Sequence, residues 1–211
     1  HALPRGTVLH GRYLVGAVLG AGGFGITYIA MSIPDKRRIA IKEFLPVDAA
    51  AREEGGAYVR SLSREPGLFP RARAQFLQEA QTIYRLRGYS GIVGVEKLFQ
   101  ENNTAYFCME YLEGQDLRRR ILAAGGRLRT DETMRVMTTV LDALDYIHTR
   151  GVVHRDISPD NIYLCGDKSV KLIDFGAAYA RRGDDGANSL RVVKQGYAPV
   201  EQYRADGSVG P

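Results

Sequence analysis

The chain has no tryptophan and only two cysteines among its 211 residues. So low a thiol content excludes a disulfide-built scaffold, and Cys108 and Cys165 stand too far apart for metal-site spacing. They read as reduced, buried thiols. No apolar run reaches the roughly eighteen residues that crossing a bilayer demands, and no secretory signal is visible at the start. The expectation is a cytoplasmic, soluble domain that makes no membrane contact through this segment. What is present is a globular balance, 45% hydrophobic and 25% charged, with a net charge of +5. The basic residues are scattered (Arg37-Arg38, Arg71 and Arg73, Arg118 to Arg120, Arg181-Arg182) without interleaved aromatics, so they read as solvated faces and not as a nucleic-acid surface.

Strand-like composition dominates residues 8–45 and 92–112, and helix-like composition dominates 115–150. A helix over Ala72 to Arg87 lies between the strand regions, with Phe76, Leu77, Ala80, Ile83 and Leu86 at helical spacing. In the later helix Thr130 can cap, Asp131 and Glu132 suit the positive N-terminal dipole, and Met134, Met137, Val140, Leu141, Leu144 and Ile147 form the apolar stripe. Gly151 ends it. Residues 43–71 carry Glu53-Glu54-Gly55-Gly56, Pro66-Gly67 and Pro70, which mark an insertion of loop character and a docking place for a regulator.

The sequence His154-Arg155-Asp156, then Asn161, then Asp174-Phe175-Gly176 is its most specific feature. Singly these are a surface turn and a strand end. Their joint order and spacing fit one chemistry, the holding of Mg-ATP beside an acceptor hydroxyl. Asp156 supplies the carboxylate near the nucleophile, and Asn161 and Asp174 supply oxygen ligands to Mg2+, a cation that takes few protein groups. Upstream, Leu19-Gly20-Ala21-Gly22-Gly23-Phe24-Gly25 places Gly20, Gly22 and Gly25 where backbone can approach phosphates. A dinucleotide-binding turn would open a helix; here Thr27-Tyr28-Ile29-Ala30 is β-prone, so a hairpin over the nucleotide fits better. Lys42 ends the strand Ile39-Ala40-Ile41-Lys42 within reach of the α and β phosphates, with Glu79 of the helix as its ion-pair partner.

With those motifs in hand, nearly the whole chain resembles a eukaryotic-type Ser/Thr protein kinase of the bacterial kind. The resemblance implies an α+β bilobal fold. An antiparallel N-lobe with one main helix, and the hinge, would occupy residues 1–113, and a mainly helical, incomplete C-lobe residues 114–211. It implies Met109 as gatekeeper, backbone bonds to adenine from Glu110 and Leu112, Asp116 on the ribose, and Ala40, Thr27 and Tyr163 around the base. Ile83, Phe175 and His154 match three members of an apolar stack between lobes. The implied activity is phosphoryl transfer from Mg-ATP to Ser/Thr hydroxyls of protein substrates. A nucleotide-binding pseudokinase or scaffold, and a small-molecule kinase of the same fold, are the alternatives.

Two departures qualify the resemblance. Where the family carries a lysine two residues beyond the catalytic aspartate, this chain has Ser158, and where it carries an activation-segment threonine this chain has Lys194. The resemblance thus implies that the two side chains have traded places, with Lys194 expected to restore the ammonium beside Asp156 and Ser158 expected to hydrogen-bond in return. Val200 and Glu201 stand for the family's Pro-Glu. Arg155 would pair with a phosphate on the activation segment, with Ser189 as the local candidate. The start at His1 and the stop at Pro211 are expected to be those of a fragment.

Overall fold

A computed structural model gives the fold and describes residues 1–175, 179, 180 and 197. Two compact units are formed, His1–Tyr84 with Val95–Tyr111, and Arg85–Gly94 with Leu112–Pro211.

In the first unit the strands are β1 (Val8–Leu9), β2 (Tyr13–Gly22), β3 (Gly25–Ser32), β4 (Arg37–Phe44), β5 (Ala50–Arg52) and β6 (Val59–Ser61). The helix α1 (Leu68–Arg85) follows, then β7 (Val95–Glu101) and β8 (Thr104–Glu110). One antiparallel sheet runs β1-β2-β3-β4-β8-β7, and β5-β6 is a separate hairpin. The β-branched residues Val15, Ile26, Thr27, Ile29, Ile39 and Ile41 suit a pleated, packed surface.

Register sorts the residues between faces. Thr27 lies opposite Lys42, and Lys42 opposite Phe107, so these share one face with Ala40, Met109 and Phe44. Helix α1 packs there: Phe76 sits 5.4 Å from Phe44 and 5.3 Å from Phe107, centroid to centroid. Phe69, Phe76, Ala80 and Ile83 form its buried stripe. The other face carries Tyr28, Ile41, Glu43 and Tyr106, all fully buried, beneath the N-terminal segment and the β5-β6 hairpin. Because both faces are covered, β4 is buried almost continuously from Ile39 to Phe44 and shows no clean alternation.

Several expectations are corrected here. The 43–71 segment is not loop throughout, for it holds β5, β6 and the start of α1. That helix begins at Leu68, four residues before the expected Ala72, and Pro70 lies in its first turn, where its missing N–H would have no intrahelical partner anyway.

The second unit begins with β9 (Gly114–Asp116), α2 (Leu117–Ala123) and α3 (Thr130–His148), followed by β10 (Val152–Val153) and a 3-10 turn over Pro159–Asn161. Strands β11 (Ile162–Cys165), β12 (Val170–Leu172) and β13 (Tyr179–Ala180) complete it. The sheet order is β12-β11-β9, and β10 pairs with β13. At Gly114 φ is +151° and a Cβ would stand 2.0 Å from the Leu164 carbonyl oxygen, so only glycine lets β9 approach β11 this closely.

Helix α3 lies against β10 and β12, with Val136, Val140, Ala143 and Ile147 buried. Met134, Met137 and Leu141, expected in the core stripe, are exposed among the described residues. Eight apolar side chains (those seven plus Leu144) are more than one helical face accommodates, so the helix is apolar on two sides. Thr130 is the first helical residue and not the cap, which is Arg129 with no side-chain cap bond. Cys108 is buried, whereas Cys165, expected buried, is half-exposed. Neither forms a disulfide. Among the described residues no helix is long and apolar enough to cross a membrane.

Candidate active site

Each unit presents its own set of the expected residues. In the first, the β2-β3 hairpin carries the glycines. Gly20 and Gly22 would meet nothing within 4 Å if given a Cβ, whereas a Cβ on Gly25 would stand 1.9 Å from the Glu43 carbonyl oxygen. Gly25 is therefore required by the sheet itself, and Gly20 and Gly22 are not. The hairpin tip is held by Leu45 N donating to Phe24 O and Val47 N to Gly23 O, both at 3.1 Å. Leu19 is exposed beside the tip. Beneath the hairpin, Thr27, Ala40, Lys42 and Met109 lie on one sheet face, with Ala40 directly opposite Met109 and Glu110 opposite Ile39. Glu79, half-buried on α1, accepts a hydrogen bond from Gln75 Nε2 at 3.2 Å.

In the second unit the chain leaves β10 through His154, which is 1% exposed and lies 4.4 Å from the Phe175 ring. Asp156 N donates to His154 Nδ1 at 3.3 Å, and His154 Nε2 lies 3.2 Å from the Ile173 carbonyl. With Nδ1 accepting, Nε2 must carry the proton, so the ring is the neutral Nε2–H tautomer. Arg155 takes φ +65° and Asp174 φ +55°, left-handed conformations that are uncommon outside glycine and that cluster at functional sites.

Asn161 Nδ2 donates to Asp156 Oδ2 at 2.7 Å and to its carbonyl at 2.9 Å. Asp156 Oδ1 is shielded from solvent and has no hydrogen-bond partner among the described residues. Ser158 is 2% exposed, and its carbonyl receives Asn161 N at 2.9 Å. Asp116 caps α2 through Arg119 N at 2.8 Å and pairs with Arg119 Nε at 3.1 Å. Leu112 and Tyr163 meet as well. Tyr163 OH donates to Gly114 O at 2.9 Å and lies 3.4 Å from Leu112 O. Lys194, Ser189, Gly176, Val200 and Glu201 lie outside the described residues.

Two features had no place in the sequence reading. One is the exposed pair of Asp160 with Arg118, and the Arg118 guanidinium also lies 5.9 Å from the Tyr197 ring. The other is the fully buried pair of Arg52 with Glu43. A lone glutamate in the apolar strand Ile39-Ala40-Ile41-Lys42-Glu43-Phe44 was the available signal for the second.

Burial pushes the His154 imidazole below its ordinary value, against the opposing pull of Asp174. The unfolded chain therefore takes up a proton near pH 6.5 that the folded chain refuses, and stability falls as pH drops through and below that value. The melting temperature of the wild type is expected to fall more steeply between pH ~7.5 and ~5.5 than that of His154→Phe. Parallel curves in thermal scans would show that His154 does not contribute.

The sheet with a single helix, the glycine hairpin, and the Asp156-Asn161 loop leading to Asp174 together define a kinase fold. Residues 13–206 match the family described as Protein kinase domain, and the chain belongs to that family. It is 31% identical to "Serine/threonine-protein kinase PknA" of Nostoc sp., over 92% of this chain and 34% of that protein. It is 35% identical to "CBL-interacting protein kinase 4" of Oryza sativa subsp. japonica, over 94% of this chain and 40% of that one. Among solved structures, "PpkA-294 apo form" matches with a TM-score of 0.76 at 30% identity, covering 83% of this chain and 62% of that chain. The chain thus spans about a third of the length of the Nostoc relative, whose match covers 34% of it.

Proposed function

We propose that this chain carries the phosphoryl-transfer centre of a protein serine/threonine kinase acting on protein hydroxyls. The observation that supports this most is the Asp156 carboxylate. One oxygen is fixed by Asn161 and the other has no hydrogen bond among the described residues, buried and ready to accept the proton of an incoming hydroxyl. The acceptor oxygen then attacks the γ-phosphorus, the bond to the β-γ bridging oxygen breaks, and ADP leaves.

The other residues position charge. Asn161 spends its amide nitrogen on Asp156, leaving its amide oxygen, with the exposed Asp174 carboxylate, as hard oxygen donors of the kind Mg2+ takes. Bound there with the nucleotide, the cation would neutralise phosphate charge. Lys42, oriented by Glu79, would hold the α and β phosphates. Gly20 and Gly22, which the fold does not need as glycine, leave backbone N–H groups approachable by phosphate. Thr27, Ala40, Met109, Glu110, Leu112, Tyr163 and Asp116 would hold adenine and ribose, and Lys194 would place an ammonium beside Asp156 opposite Ser158. Dependence on ATP puts the reaction in the cytoplasm, with a regulator of the 43–71 segment as a further partner.

The test is transfer of labelled phosphate from Mg-ATP to a generic protein substrate and to the kinase itself, using the full-length natural protein, with Asp156→Asn as the blank. Transfer above the blank is the expected result. Nucleotide binding without transfer would favour the second reading, a pseudokinase scaffold. That reading is motivated by the uncharged, buried Ser158 in the catalytic loop.

A further inference from the structure

The 43–71 insertion is built into the nucleotide-binding unit through one guanidinium. Arg52, at the end of β5, donates Nε to Ala57 O at 3.0 Å, Nη1 to His1 O at 2.7 Å, and Nη2 to Glu43 Oε1. Glu43 receives Tyr28 OH on its other oxygen at 2.8 Å, and Tyr28 OH in turn accepts Leu3 N at 3.0 Å. The side chains of Arg52 and Glu43 are 1% and 0% exposed. A pair so fully desolvated is held by geometry, and the three-way fork of arginine supplies that geometry where lysine cannot.

Glu43 is the residue after Lys42, and Tyr28 the residue after Thr27. Side chains alternate across a strand, so the buried pair grips one face of β3-β4 immediately behind the face that carries Thr27 and Lys42. Two further attachments reach the same unit. The root of the insertion holds the glycine tip through Leu45 N and Val47 N, and Ala49 and Ala50 N both bond to Pro46 O. Beyond it, Val59 N donates to Asn102 O at 2.9 Å, Asn103 Nδ2 donates to Val59 O at 2.9 Å, and Arg73 Nη1 of α1 donates to Asn103 O at 3.0 Å. The insertion as a whole is thus bonded at once to the strand of Lys42 through Arg52, to the glycine tip through Leu45 and Val47, and by way of Asn103 to the helix of Glu79.

We propose that Arg52 is a positioning residue for nucleotide binding: through Glu43 it docks the insertion behind the sheet and sets the glycine hairpin and Lys42 for the triphosphate. Because those groups matter here as nucleotide ligands, the role stands on the kinase reading above. Whatever displaces the hairpin weakens ATP binding and leaves the protein substrate's site untouched.

The test uses the full-length protein, a fluorescent ATP analogue and steady-state kinetics. Arg52→Ala strands a buried carboxylate and can fail to fold, so the decisive variant is Glu43→Met/Arg52→Met, since apolar replacement of a buried pair is often neutral or stabilising. It is expected to remain folded by circular dichroism while Kd and KM for ATP rise about tenfold and KM for protein substrate stays within about twofold. Arg52→Lys, which keeps the charge and loses the fork, is expected to fall between the two. A folded double variant with wild-type ATP affinity overturns the proposal, as does a fall in kcat with both KM values unchanged, which is the mark of lost active enzyme. Failure of the wild type itself to bind the analogue overturns the kinase reading first and this role with it.

Discussion

Asp156→Asn is expected to lower kcat by about 10²- to 10⁴-fold, the usual contribution of a positioned general base, with Kd for Mg-ATP changed by less than about threefold. The substitution is nearly isosteric and leaves the backbone bonds to His154 and Asn161 in place. The Asn161 amide donates to the side chain at Oδ2, so an asparagine at 156 would orient its own oxygen toward that donor. Its amide NH2 would then face the position of Oδ1, a donor where the acceptor hydroxyl needs an acceptor. Geometry survives and proton acceptance does not. Single-turnover phosphate transfer alongside equilibrium nucleotide binding separates the two terms. Retention of kcat within about threefold would remove Asp156 from the role of base.

The second large effect concerns Ser158 and Lys194. Removing one preorganised cation near the transferring phosphoryl costs about 2.7–4 kcal/mol by analogy with a lost oxyanion donor, or about 10²- to 10³-fold in rate. Lys194→Ala is expected to lose this much, approaching the level of Asp156→Asn. The informative variant is the exchange Ser158→Lys/Lys194→Thr, which returns the ammonium from the catalytic-loop side. It is expected to recover most of the rate lost in Lys194→Thr. Two features make the exchange sensible: Ser158 is buried beside the 3-10 turn that carries Asn161, and its backbone carbonyl already receives Asn161 N. If Lys194→Ala turns over like the wild type, the compensation does not exist.

Much of the local architecture was legible because it rests on short-range signals. The glycine run opened a hairpin and not a helix, as the β-prone residues after it required. The alternation of strands and the Glu79 helix also appeared in order. What escaped depended on tertiary context. The insertion was read from its Gly and Pro content as loop, whereas Ala50–Arg52 and Val59–Ser61 pair as strands and Arg52 among them meets Glu43 under the sheet. The lone Glu43 of the apolar strand signals a buried partner, but no local pattern says that Arg52 is that partner. Pro70 was read as a loop marker, although a helix tolerates proline in its first turn. The α3 stripe contained too many apolar residues for spacing to choose between its two sides. In the site, spacing brought Asn161 near Asp156, but it could not say that the amide nitrogen would be spent on that carboxylate and leave one of its oxygens open.

The double burial of β4 also bears on how this chain can change over generations. A strand with one wet face keeps half its positions open to drift, since every second side chain can vary at little cost. From Ile39 to Phe44 both parities are committed, one beneath the N-terminal segment and the hairpin, the other on the face that packs against α1. Neutral variation in this unit is therefore channelled elsewhere, toward the exposed turn between β3 and β4, Ile33 to Lys36. An insertion that looks dispensable by length has become a condition on which substitutions its neighbours can accept.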